Sequence, residues 1–195
     1  MITGNIENLD TLDAAALLHG MMETAKSIRS QHKYSEDEAM MPVCLIVGQG
    51  EVMVVATAWK NEDEKWAMMK AVSNVARLHK ARIVGLATDT RWIKSDKLCS
   101  YYNVPPPEKQ NIEDFKKWYM GMLRSVGGSV KGFPREVWSE AVMVAAKGPE
   151  IGTVVKLANY TEGPNDTVLF QADIIDDPSR TYEHDLRLLP EWWTQ

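Results

Sequence analysis

Residues Met40–Trp92 read MMPVCLIVGQGEVMVVATAWKNEDEKWAMMKAVSNVARLHKARIVGLATDTRW, and the fold turns on this stretch. Val43–Val47 is unbroken apolar, the pattern of a strand central in a sheet, and Pro42 fits only at its beginning. Gly48-Gln49-Gly50 offers the positive-φ freedom of a hairpin turn, and Glu51–Thr57 returns antiparallel. Asn61 followed by Glu64 approximates a capping box. The helix it opens, 62–80, repeats Trp66, Met69, Val72, Val75 and Ala76 at a spacing near 3.6, which predicts a buried face. Arg77, His79 and Lys80 crowd its last turn, where the helix dipole favours cations. A third strand follows at 82–88, and polar Asp89, Thr90, Arg91 and Trp92 mark its exit.

Working outward, residues 1–9 read as a loose lead-in. A helix over 11–32 carries Ala14, Leu17, Leu18, Met21, Ala25 and Ile28 on one stripe, with Lys26, Arg29 and Lys33 toward its C-terminal end. Residues 93–110, with Pro105-Pro106-Pro107, read as an irregular surface excursion. Asn111 caps a helix over 112–125 that bears Phe115, Trp118 and Tyr119. Three strands then follow, at 137–146, 151–157 and 167–174, separated by turns rich in Gly, Pro and Asn, which makes an antiparallel meander. An acidic and aromatic tail, 176–195, ends with Trp192-Trp193. The expectation is one α+β domain over 1–195. A mostly antiparallel sheet, a β-β-α-β unit plus the meander, is covered by about three helices.

The chain has 195 residues, 45% of them hydrophobic and 25% charged, enough to bury a core. No apolar run approaches ~18 residues, so no membrane association is expected. The first ten residues lack a signal-peptide pattern, and two unspaced cysteines read as free thiols in a reducing compartment. Cytoplasmic location follows as the expectation. Cys44 sits in an apolar strand as a small hydrophobe. Cys99 lies in a polar loop beside Lys97, which could depress its pKa, but the favoured reading is an exposed, unremarkable thiol.

The net charge of −5 is unevenly spread. Residues 77–135 hold twelve Lys/Arg against five Asp/Glu, whereas 161–195 hold two against eight. The basic middle either neutralises the acidic ends or presents a face to an anionic partner. Cations interleaved with Trp92, Tyr101, Tyr102, Trp118, Tyr119 and Phe133 suit single-stranded nucleic acid, but the rings on the 112–125 stripe are expected to be buried.

No phosphate-binding glycine loop, nucleophile elbow, HExxH or paired CxxC is present, and no cofactor or metal is expected. Tyr182-Glu183-His184-Asp185 beside Asp176 and Asp177 could gather a divalent cation, but a solvated acidic tail is the favoured reading. His19, His32 and His79 stand alone. The local candidates are Asp89 as a base or acceptor, Arg91 for an anion and Trp92 for stacking. Asp89 and Arg91, two apart in a strand, share a face and can instead simply pair.

The 40–92 stretch, with its apolar hairpin, its helix entered through a charged Asp63-Glu64-Lys65 segment and its strand ending in Trp92, resembles small phage- and prophage-encoded proteins of unknown function. The resemblance implies viral origin, hence a host-cell cytoplasm. It implies no activity.

Three functional expectations follow. The first is a non-enzymatic accessory protein binding another protein or itself, with Trp192 and Trp193 as contacts and 11 methionines suiting adaptable surfaces. The second is a small hydrolase or nucleotide-binding enzyme using Asp89 and Arg91. The third is single-stranded nucleic-acid binding through the basic middle.

Overall fold

The computed structural model describes residues 2–4, 14–31, 40–49, 51–59, 62–175 and 192–193. Among them are seven strands, β1 (Ile2–Gly4), β2 (Val43–Val47), β3 (Val52–Ala56), β4 (Ile83–Ile93), β5 (Trp138–Gly148), β6 (Gly152–Glu162) and β7 (Val168–Ile175). The helices are α1 (Ala14–Gln31), α2 (Glu62–Leu78), α3 (Ser95–Tyr101) and α4 (Ile112–Ser125). The strands form one antiparallel sheet in the order β1-β3-β2-β4-β5-β6-β7, so the α+β expectation holds. By contact the chain divides into two compact units, Met1–Asp89 with Val142–Gln195, and Thr90–Ala141.

In the first unit the hairpin register pairs Leu45 with Val54 and Val47 with Val52, and β2 pairs Leu45 with Gly85 and Val43 with Ala87. Because alternate residues point to opposite faces, Val43, Leu45, Val47, Val52, Val54, Ile83 and Ala87 share one face. Cys44, Ile46, Met53, Val84 and Leu86 share the other. Leu17, Leu18, Met21, Met22 and Ala25 of α1 pack on the first face, with Val142, Val144, Ala158 and Tyr160. Met69, Val72 and Ala76 of α2 are buried, and α2 packs on β2.

In the second unit Leu98, Phe133, Val137 and Trp138 are buried beneath Trp118, Tyr119 and Met122 of α4. Asn111 caps α4, accepting from the Glu113 amide at 2.8 Å, as its sequence position predicts.

Several expectations change. The lead-in contains a strand, β1, paired on β3 through Ile2 and Val54. The third strand does not end at Thr88 but continues to Ile93, so Asp89–Trp92 are strand residues. The irregular excursion contains α3, whose Leu98 and Cys99 are buried. A polar, proline-rich composition concealed a helix held by only two apolar side chains. Trp66 is 52% exposed, because the buried arc of α2 begins one turn further on at Met69. Gly48 does not have a positive φ. It is needed because a Cβ there would lie 2.8 Å from the His79 carbonyl oxygen. Met21, Met22, Met40, Met53, Met69 and Met143 are buried, so these methionines are core rather than adaptable surface.

Candidate functional site

An opening in the first unit runs along α1. On one flank of this helix Ala16, Gly20 and Thr24 recur every fourth residue, which places them in one row. Having little side-chain volume, they leave a cavity of about 410 Å³ between helix and sheet. Its other wall is the apolar sheet face, Val43 and Leu45 of β2, Val52 and Val54 of β3 and Ala87 of β4. Val43, Leu45 and Val54 are only half-buried, so the cavity reaches solvent. A Cβ built on Gly20 meets nothing within 4 Å. The Thr24 hydroxyl donates to the Gly20 carbonyl at 2.8 Å, so the hydroxyl proton in this wall is already used.

Past Ala25 and Ile28 of the wall comes Arg29, 1% exposed. Its Nη1 lies 3.7 Å from Asp89 Oδ2, and its guanidinium sits 5.1 Å from the centre of the Tyr160 ring. Asp89 Oδ2 also accepts from the Met40 amide at 2.7 Å. One carboxylate therefore ties together α1, the start of β2 and the strand β4. Neither Arg29 nor Asp89 lines the cavity.

In the second unit Arg91 Nε lies 3.3 Å from Glu140 Oε1, and Arg135 Nη2 lies 3.7 Å from Glu140 Oε2. Glu140 is 2% exposed. Arg135 also donates to the Trp138 carbonyl at 3.1 Å and stacks over that indole at 4.1 Å. Arg91 thus helps satisfy a buried carboxylate, which a sequence pattern does not expose. Trp92 is half-buried.

The other sequence candidates fall as follows. Trp192 is buried, with its indole N–H donating to the Ala81 carbonyl at 2.9 Å. Trp193 is half-buried and packs edge-on against it at 4.5 Å between ring centres. Phe133 is buried, and Tyr102, Trp118 and Tyr119 pack around it, which leaves Tyr101 as the exposed ring of that group. Burial pushes the Lys94 ammonium below its usual range, and the neighbouring Lys97 and Arg135 add to the shift while Asp96 opposes it. Cys44 is fully buried and its thiol is pushed up to about 12 by desolvation, with a hydrogen bond to Thr57 acting the other way. Cys99 is 1% exposed rather than sitting in an exposed loop. Its thiol is raised by burial and then by Glu108 and Asp96, the opposite of an activated cysteine. His79 meets Glu51 through Nδ1 at 2.5 Å, and His19 is exposed. No cluster of three metal-ligating residues occurs among the described residues. His32, Asp176, Asp177 and the 182–185 segment lie outside them.

Sequence reasoning missed Arg29, Glu140 and the cavity. For Arg29 a signal existed. Leu18, Met22, Ala25 and Arg29 are spaced four, three and four, so the arginine occupies a position on the apolar stripe. For Glu140 the signal was its place inside the apolar run Val137–Ala146.

No protein-family model matches the chain, and comparison with curated proteins and with solved structures returned no match.

Proposed function

We propose that this chain is a non-enzymatic accessory protein that acts by binding, and that it receives an apolar group in the cavity along α1. The observation that carries the reading is the cavity itself. At about 410 Å³, with apolar walls and an opening to solvent, it falls within the ~300–1,000 Å³ of ligand sites. The polar candidates support binding over catalysis, because Asp89 and Arg91 are each engaged in an ion pair with a buried partner. Trp192 gives less support to a docking tail, since it is already packed within its own chain. The phage origin implied by residues 40–92 is retained as part of this proposal and adds no chemistry. No helix among the described residues is long and apolar enough to cross a membrane.

The test is fluorescence titration with the neutral probe 1-N-phenylnaphthylamine, comparing the native chain with Gly20→Leu, which projects a side chain into the open space. Saturable binding that Gly20→Leu abolishes supports the reading. Equal binding by both proteins refutes it. So does a nucleotide-dependent or hydrolytic activity that Arg91→Gln removes while probe binding persists.

A further inference from the structure

Resting on that reading of the cavity, we infer the class of its ligand. It is an uncharged, largely hydrocarbon molecule of one to three rings or a short chain, bound in preference to an anion of the same skeleton. The volume sets the size. About 410 Å³ lies toward the small end of the ~300–1,000 Å³ range of ligand sites.

The chemistry of the walls sets the polarity. The described lining residues include no Asp, Glu, Lys, Arg or His. The lining hydroxyl proton, on Thr24, is given to the Gly20 carbonyl, and the Met40 amide at the rim is given to Asp89. Arg29, the cation nearest in sequence to the wall residue Ile28, is faced by Asp89 at 3.7 Å and by the Tyr160 ring. Its charge is therefore matched within the fold. An anion drawn fully into the cavity would lose its hydration with no charged side chain of the described lining to replace it. A neutral ring loses nothing of that kind and gains apolar contact on both sides. The low row Ala16–Gly20–Thr24 lines the helix side of the cavity, and Val43, Leu45, Val52 and Val54 line the sheet side, so an apolar group meets small or apolar side chains on both.

Two probes isolate the charge. 1-N-Phenylnaphthylamine and 1-anilinonaphthalene-8-sulfonate share one ring skeleton, and the second carries a sulfonate. Each is titrated into the full chain and into Gly20→Leu and Ala16→Leu, with melting curves showing that the variants are folded. The expected result is at least tenfold tighter binding of the neutral probe, lost by tenfold or more in both variants. If the sulfonate binds as tightly or more tightly, and both variants weaken it, the ligand class is wrong while the cavity remains the site. If neither variant affects either probe, or neither probe binds, the cavity reading itself fails and the inference with it. Should Gly20→Leu not fold, Ala16→Leu decides by the same criteria.

Discussion

Replacing Asp89 tests whether the one carboxylate that joins three segments of the first unit is a structural tie. Asp89 Oδ2 faces Arg29 Nη1 at 3.7 Å, with the side chains 8% and 2% exposed. At an effective dielectric near 20, that separation corresponds to an attraction of about 4–5 kcal/mol. Removing the carboxylate also leaves the Met40 amide without its 2.7 Å acceptor, a loss of about 1.5–3 kcal/mol for a hydrogen bond to a charged group. Desolvation of the two ions offsets much of the sum, and breaking a buried pair from one side typically costs about 3–5 kcal/mol. Asp89→Ala and Arg29→Met should each fall in that range. The double variant should lose far less than their total, because neither charge is then stranded. Urea unfolding followed by circular dichroism measures this as a lowered midpoint at constant slope. The matching thermal shift is roughly 2–4 °C per kcal/mol at this chain length. Single variants costing under about 1 kcal/mol, or a double variant that is simply additive, would refute a buried structural tie and return Asp89 to the list of functional carboxylates.

Three further outcomes are expected. Gly48→Ala should destabilise by about 1–3 kcal/mol, since its Cβ meets a backbone oxygen at 2.8 Å, whereas Gly20→Ala, with open space around it, should stabilise by about 0.5–1 kcal/mol; melting temperatures moving in the same direction would contradict the geometry. The Cys44 thiol is raised from 9.0 to about 12 in the fold, so the native state holds its proton more tightly. Its contribution is complete below pH 9 and is lost as pH rises toward 12, by on the order of 4 kcal/mol, and Cys44→Ala should flatten that part of the stability profile; an unchanged profile would show that the thiol is not so buried. Trp192→Ala should cost about 3–5 kcal/mol as a buried indole with a satisfied N–H is removed, while Trp193→Ala should cost markedly less; equal losses in denaturant unfolding would contradict the different burial of the two rings.

The regular elements were legible because each carries a local periodicity. The five-residue apolar run at Val43–Val47 specified a central strand, and the register Leu45–Val54 follows once the hairpin forms. Asn111 announced the start of α4 through its cap. The reading failed where the signal was weak or shared. At α3 two buried side chains, Leu98 and Cys99, outweigh a polar composition. At Asp89–Trp92 a polar run resembled a strand exit, but a strand can carry charges through a sheet when buried partners meet them, and Arg29 and Glu140 do so from distant positions.

The candidate site was less legible than the fold. Asp89 and Arg91 could be picked out as unusual, yet their partners lie 60 and 49 residues away along the chain, and no local pattern joins them. The cavity was hidden for a different reason. Ala16, Gly20 and Thr24 lie beside the apolar stripe of α1 rather than on it, so in sequence they are merely small. What the sequence determined was the periodic information, which side chains repeat on one face and where each helix or strand begins. Only the tertiary structure decided what those faces meet, because an empty volume belongs to two walls at once. Here the low flank of α1 lies over the β2–β3–β4 face without filling the space between them.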